Sequence, residues 1–222
     1  MMPFTVSHHA QGTAEWLEDR LGCFTASSAG DAMATIKSGV AASRKNLRVK
    51  LALERAIRRS LDTPFITPAM QTGTDRQPLA RVAYEVATGS LVAECGFIRS
   101  TVHPWVGCSI DGHVDTFSRL VEFKCRQPAA HWDFLRTGTI PGDAMAQIRH
   151  ELWIIPQAES VDYVCWSPDF PERLQLRIVT VTRAEADIPS YQAAALAFLA
   201  EVELDYQAIL TMSGLLAERT TP

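Results

Sequence analysis

The chain has no Cys-x-x-Cys pair, and its five cysteines, Cys23, Cys95, Cys108, Cys125 and Cys165, stand singly in 222 residues. An odd, dispersed set argues against a disulfide framework and a structural zinc knuckle, and for a reducing, cytoplasmic setting. No run approaches the ~18 apolar residues of a membrane span, and residues 1–11 hold two histidines without the apolar core of a signal peptide. Internal repeats, low-complexity stretches and Ser/Gly linkers are missing too, so a single domain over residues 1–222 is expected. Basic charge is in deficit. With 21 Lys and Arg against 25 Asp and Glu, the formal charge of −4 disfavours a protein that coats nucleic acid by charge alone. What is present is 47% apolar side chains, enough for one well-buried core.

Periodicity and punctuation predict short helices over 13–21 and 27–37, the second opened by the cluster Thr25-Ala26-Ser27-Ser28, which suits capping or holding an anion. A stronger helix is expected over 43–60, with Leu47, Leu51, Leu53 and Ile57 as its apolar component, and another over 73–88, ended by Gly89. From residue 91 the texture turns to β. Runs at 91–98, 105–110, 113–117 and 119–125 read as a meander of antiparallel strands. Helical spacing returns at 129–136 and 143–155, strand-like runs follow at 161–166 and 174–181, and a long Ala/Leu-rich helix is expected over about 185–218. The order predicts an α/β (α+β) fold with a central mixed sheet flanked by helices.

The most informative chemistry lies in Ser109-Ile110-Asp111-Gly112 and Val121-Glu122-Phe123-Lys124-Cys125. In a strand the side-chain period is two, so Glu122 and Lys124 share one face while Val121, Phe123 and Cys125 take the other. Phosphodiester hydrolysis needs oxygen ligands for a hard divalent cation, a way to activate water, and positive charge near the phosphate. Asp111, Glu122 and Lys124 supply all three. Alone, the Glu-x-Lys pattern is far more often the solvated face of an edge strand. Hairpin geometry also leaves a rival: a tight turn at Ser118-Arg119 would set Asp115, not Asp111, opposite Glu122.

Several segments in order resemble the phage lambda-type exonucleases and their YqaJ-like relatives, within the PD-(D/E)XK nuclease superfamily. They are Glu15-Trp16-Leu17 with Arg20-Leu21-Gly22 and Thr25-Ala26-Ser27; Gly73-Thr74 leading to Ala80-Arg81 and Tyr84-Glu85; Ser109 to Gly112; Glu122 to Cys125; and Ala146-Gln147-Ile148 with Leu152-Trp153. The resemblance covers about residues 12–168. It implies that Asp111, Glu122 and the main-chain carbonyl of Phe123 hold metal, two Mg²⁺ or Mn²⁺ ions per site, with Lys124 positioning the attacking water. By the same resemblance Asp111 is preferred to Asp115, and Arg20, Thr25 and Ser27 bind the 5′ phosphate. Read from their own chemistry alone, Arg20 is more readily a surface cation and Ser27 a plain N-cap. Gln147, on a predicted helix, is placed to bond the lysine, a water or a phosphate; His131 and Arg149 lie near enough in sequence to be considered and are given no role.

There is a departure at Gln77, in Gly73-Thr74-Asp75-Arg76-Gln77-Pro78, where the family carries glutamate. An amide offers a carbonyl oxygen without charge and holds a divalent cation less firmly. Asp75 and Glu85 share the predicted helix and are the available compensators, although Glu85 lies about 80° round it from Gln77. Basic charge is also local. Residues 43–60 hold Arg44, Lys45, Arg48, Lys50, Arg55, Arg58 and Arg59 against Glu54, a net +6, so the remainder carries −10. A solvated face explains this as well as a path along DNA phosphates, for which Arg44, Lys45 and Arg48 are the candidates.

The expected function is therefore a metal-dependent 5′→3′ exonuclease that degrades one strand from double-stranded DNA ends in phage-type recombination, in the cytoplasm of a bacterial host. The resemblance further implies a ring-shaped homotrimer and a partner single-strand annealing protein, with no membrane involvement. The alternatives are a restriction-like or junction endonuclease on the same core, and a DNA-end binding protein impaired in cutting by Gln77.

Overall fold

The computed structural model describes residues 2–62 and 67–214. The chain runs β1 (Phe4–Val6), α1 (Ala14–Asp19), β2 (Phe24–Thr25), a 3-10 turn (Ala26–Ser28), α2 (Ala29–Ala32), α3 (Ala42–Ile57), α4 (Pro68–Thr88), β3 (Ile98–Ser100) and β4 (Val106–Cys108). It continues through β5 (Gly112–Val114), β6 (Arg119–Lys124), α5 (Pro128–Thr137), α6 (Gly142–Ile154), β7 (Ser160–Trp166), β8 (Leu176–Thr182) and α7 (Ile188–Ser213).

The expected mixed α/β architecture is present, but with two four-stranded sheets instead of one. The first has the order β1-β3-β4-β2, with β2 parallel to β4 and the other pairs antiparallel. In the second, β5-β6-β7-β8, only β6 and β7 are parallel. The meander expected over 91–125 is thus divided between sheets. Residues 91–97 add only an isolated bridge, Ala93 to His113. Between β4 and β5, Ser109, Ile110 and Asp111 belong to neither sheet. Close approach sets the first sheet: a Cβ at Gly107 would fall 2.2 Å from the Phe97 ring, so only glycine lets the strand lie against it.

Two helices differ in extent from their sequence patterns. The one expected over 27–37 is reduced to the 3-10 turn and the four residues of α2. Ser27, Ser28, Gly30, Thr35, Ser38 and Gly39 are weak helix formers, and Arg44 takes the carbonyl of Ala32 at the helix end. By contrast, α4 starts five residues ahead of the expected 73, because Thr67 caps it by accepting from the Met70 N–H and Pro68 occupies its first turn. The closing helix begins at Ile188, where Asp187 caps it, and ends at Gly214 in the left-handed conformation. Residues 215–218 of its expected span lie outside the described residues.

Helix α6 is central to the packing. Ile148 and Leu152 enter a core with Ile98, Val106, Ile110, Leu120, Val161 and Tyr163, while Ala146 joins a second core with Phe24, Leu51 and Phe198 from β2, α3 and α7. On the other face of the second sheet, Ala80 and Tyr84 of α4 pack on Val121, Phe123 and Val164. The Tyr84 hydroxyl donates to buried Asp162 at 2.6 Å, and Thr180 donates to the second oxygen of that carboxylate, also at 2.6 Å, so α4 is fixed across β7 and β8.

His150, fully buried, ties α6 to both neighbours. Its Nε2 meets the Gly107 carbonyl at 3.1 Å and its Nδ1 meets the Tyr191 hydroxyl at 2.7 Å. A carbonyl only accepts, so Nε2 carries the proton and Nδ1 accepts from Tyr191, which is the neutral ring. Burial pushes its pKa down to about 3 from 6.5. Below about pH 6.5 the unfolded chain takes up a proton that the folded chain refuses, so this residue's contribution is complete above that pH and is lost as pH falls. Unfolding free energy measured between pH 7 and 5 is expected to fall with a slope about 1 kcal/mol per pH unit shallower in His150→Asn than in the parent. Equal slopes would show that His150 does not titrate in this way.

Candidate active site

Strand register decides between the two aspartates. Gly112 pairs with Val121 and Val114 with Arg119, so continuing the ladder by one step sets Asp111 across from Glu122. The connection is not the tight turn considered from sequence. Asp115, Thr116 and Phe117 turn with φ of 47°, 54° and 72°, and buried Phe117 anchors the loop against Phe4 and His113. Asp115 is thereby left exposed in the loop, away from the strand pair.

Glu122 is buried at 3% exposure and Lys124 is half-buried; both face α6. Val121 and Phe123 face α4. The Lys124 ammonium donates to Glu122 Oε1 and also lies 3.5 Å from Gln147 Oε1. Gln147 in turn donates from Nε2 to Glu151 Oε1 at 3.0 Å. Asp111 Oδ2 accepts from the Phe123 N–H at 2.8 Å, and the Gln77 side chain also hydrogen-bonds it. A cleft of about 600 Å³ opens over Asp111, Phe123 and Gln77, bordered by Trp16, Thr74, Pro78 and Arg81. Pro78 lacks the N–H that would bond the Thr74 carbonyl within α4, so a helix carbonyl is freed beside this cleft.

The residue that the sequence reading passed over is Glu151. It is 1% exposed and follows Gln147 by four positions on α6, the spacing that puts two side chains on one helix face. Burial first, and then the charge of Glu122, push its pKa well up; the same two causes push Asp111 up to about 7. Lys124 is held charged: burial alone would lower its pKa, but Glu122 and then Asp111 raise it. Glu122 Oε2 and Glu151 Oε2 are buried without a hydrogen-bond partner. Asp111 and Glu122, with an unpaired Glu122 oxygen and one ammonium beside them, fit a divalent cation. Among the described residues, no three His, Cys, Asp or Glu side chains alone make a metal site, so an ion here draws on amide, main-chain, water or phosphate oxygens as well.

Neither expected compensator reaches Gln77's place. Asp75 is exposed and accepts from Gln71 at 2.7 Å, while Glu85 accepts from the Val92 N–H at 2.9 Å. His131 bonds the Leu174 carbonyl at 2.9 Å and Arg149 the Ala186 carbonyl at 2.8 Å, both structural contacts.

A second pocket, of about 160 Å³, gathers Arg20, Thr25, Ser27, Ser28 and Lys50, with Glu54 and Asp62 also lining it. Arg20 donates to Ser27 at 3.2 Å and Thr25 at 3.4 Å and lies over the Trp16 ring at 4.4 Å. Trp16 Nε1 donates to Ser109 at 3.0 Å, two residues before Asp111, and so joins the two pockets.

The basic cluster of α3 is used differently from expectation. Arg44 pairs with Glu201 at 2.7 Å, Arg48 with Asp205 at 2.7 Å, and Arg55 approaches Glu203 at 3.9 Å, which fastens α3 to α7. Lys50 pairs with Asp62. Lys45, Arg58 and Arg59 are exposed and have no carboxylate in salt-bridge range among the described residues; Arg58 lies over Trp105.

The raised Asp111 pKa has a measurable consequence. Because its folded value, about 7, exceeds the ordinary 3.8, the folded state binds the proton more tightly, and the group's contribution to stability is lost as pH rises towards 7. Asp111→Asn removes the charge and keeps an oxygen for the Phe123 N–H. Without divalent cations it is expected to stabilise the protein by about 1–3 kcal/mol at pH 8 and very little at pH 4, read by thermal unfolding. An equal gain at both pH values would contradict the assigned ionisation.

Comparison with known proteins gives the family and the fold. The YqaJ-like viral recombinase domain family matches residues 15–158. The structure of an alkaline exonuclease, LHK-Exo, from Laribacter hongkongensis superposes with a TM-score of 0.81 at 30% identity, covering 92% of this chain and all of that one. The same values hold for LHK-Exo in complex with dAMP. A phage-related exonuclease from Haemophilus somnus 129PT shares the fold, with a TM-score of 0.63 at 12% identity over 86% of this chain and 96% of its own. Among curated proteins, none matches the chain. With a family match over residues 15–158 and a structural match at 30% identity spanning most of the chain, this protein belongs to the YqaJ-like viral recombinase family.

Proposed function

We propose that the chain is a divalent-metal-dependent 5′→3′ exonuclease that digests one strand inward from a double-stranded DNA end in phage-type homologous recombination. The convergence of Asp111, Glu122 and Lys124, linked through Ser109 and Trp16 to the Arg20 pocket, carries this reading. Asp111, Glu122, the Phe123 main-chain carbonyl and the Gln77 amide oxygen are the groups that would hold Mg²⁺ or Mn²⁺, two ions per site. Bound there, such ions polarise the phosphate and lower the pKa of water.

The chain's own residues do the rest. Lys124 directs the attacking water and brings positive charge to the phosphate, and Gln147 holds its ammonium in place. Water adds to phosphorus, and the 3′ oxygen leaves and takes a proton. A mononucleotide departs, the class of compound present in the LHK-Exo complex with dAMP. The shortened strand again ends in a 5′ phosphate. Arg20, Thr25 and Ser27 would therefore meet the same anion after every cut, with forked guanidinium donors and hydroxyls. Lys45 is the exposed cation of α3 that best suits contact with the duplex backbone, while Arg44 and Arg48 would reach it only by sharing their carboxylate partners. A homotrimeric ring around the duplex and a single-strand annealing protein taking up the exposed 3′ strand complete the proposal, set in the cytoplasm of a bacterial host. Among the described residues no helix is long and apolar enough to cross a membrane.

On a 5′-phosphorylated linear duplex with Mg²⁺, Asp111→Ala and Lys124→Ala are expected to lower nucleotide release about 100- to 1000-fold. Rates equal to the parent would reject this active site. Nicking of closed circular DNA would favour an endonuclease, and salt-sensitive end binding without nucleotide release would mark a binding protein. Gln77→Glu is expected to raise the rate at limiting Mg²⁺ by about tenfold, because a charged ligand replaces an amide. Arg20→Ala should erase the preference for phosphorylated over hydroxyl ends, and a preference that survives would remove Arg20 from end recognition.

A further inference from the structure

Glu151 is a buried carboxylate for which the proposed reaction has no use so far. It sits beneath the site on α6 at 1% exposure, and one of its oxygens has no partner. An acid kept only for stability would have both oxygens satisfied, because a buried, unpaired oxygen is unfavourable. The contact it does make is informative. Gln147 has two chemically opposite ends: its Nε2 donates to Glu151 Oε1 at 3.0 Å, and its Oε1 faces the Lys124 ammonium at 3.5 Å. Rotating that amide by half a turn would aim its N–H donors at the ammonium, a repulsive contact in place of an attractive one, and would take the donor away from Glu151 Oε1. The ammonium therefore admits only the carbonyl end of Gln147, and an acceptor oxygen at 151 holds the amide that way round.

We infer that Glu151 is a positioning residue that acts through Gln147, fixing its amide so that the carbonyl oxygen holds Lys124 towards the phosphate. The inference rests on the exonuclease reading for its effect on rate, but the orientation of the amide can be read without any reaction. An acceptor oxygen is what position 151 must supply, and its charge is secondary. Glutamine there can accept from Gln147 Nε2; leucine or methionine, of similar size, cannot.

The test compares Glu151→Gln, Glu151→Leu and Glu151→Met in the full chain. With Mg²⁺ and a phosphorylated duplex, the two apolar variants are expected to lose about 10- to 100-fold in kcat with KM for DNA unchanged, the range that follows from a misplaced catalytic group. Glu151→Gln should stay within about threefold of the parent, and the melting temperatures of the apolar variants should not fall, since they remove an unpaired buried oxygen. A parent-like kcat in the apolar variants would overturn the inference, as would a loss in Glu151→Gln as deep as theirs. So would a kcat loss that merely tracks a lowered melting temperature. The second measurement is the side-chain amide resonance pair of Gln147 in ¹⁵N spectra, identified by its disappearance in Gln147→Leu. It should shift in the apolar variants and stay near its parent position in Glu151→Gln, and an unmoved pair in Glu151→Leu would overturn the inference. If the parent and Lys124→Ala both release no nucleotides, the exonuclease reading fails, and the resonance measurement still decides the role of Glu151.

Discussion

The structure is arranged around like charge held at close quarters. Asp111, Glu122 and Glu151 are three buried or half-buried carboxyl groups close enough that Glu122 raises the pKa of the other two, and Lys124 is the ammonium among them, bonded to Glu122. No protein places acids this way for stability, because each makes the ionisation of the others harder. Much of the surrounding architecture keeps the arrangement from relaxing. Strand β6 presents Glu122 and Lys124 on one face, α6 closes that face with Gln147 and Glu151, and α4 is locked to the opposite face through Tyr84 and Asp162. Together these contacts hold the acids near one another against their mutual repulsion.

Much of this was legible in the sequence. The two-residue period of a strand is enough to place Glu122 beside Lys124, and the helical patterns locate α3, α4, α5, α6 and α7 to within a few residues at most ends. What escaped depends on distant partners. Asp111 and Asp115 could not be separated by spacing, since the answer lies in three consecutive left-handed residues held by the burial of Phe117. The division of the β region into two sheets likewise turns on how closely Gly107 approaches Phe97, which no local pattern records. Glu151 reads as an ordinary helical glutamate until β6 is laid over its face.

The basic stretch of α3 teaches the same lesson in reverse. Its composition is visible in the sequence, but its role is set by Glu201 and Asp205, more than 150 residues away. Arginines that looked available to DNA are engaged in holding two helices together. The charge of a segment therefore predicted a surface less well than did its partners. By contrast, Arg20, Thr25 and Ser27, separated by only seven residues, lie within hydrogen-bond reach of one another, a grouping that the family resemblance implied and their own chemistry did not.

Asp111 belongs to neither sheet, and this has a consequence for how the molecule ages and fails. It lies between β4, in a sheet whose strands are two or three residues long, and the three-residue β5, whereas Glu122 and Lys124 lie in β6, paired along its length with the seven-residue β7. Short ladders open at lower free energy than long ones, so the two halves of the site have different local lifetimes. What keeps Asp111 across from Glu122 is the hydrogen bond from the Phe123 N–H and the short β5–β6 ladder that begins one residue later. Opening of that ladder would free Asp111 while the longer β6–β7 pairing still holds Glu122 and Lys124 in place.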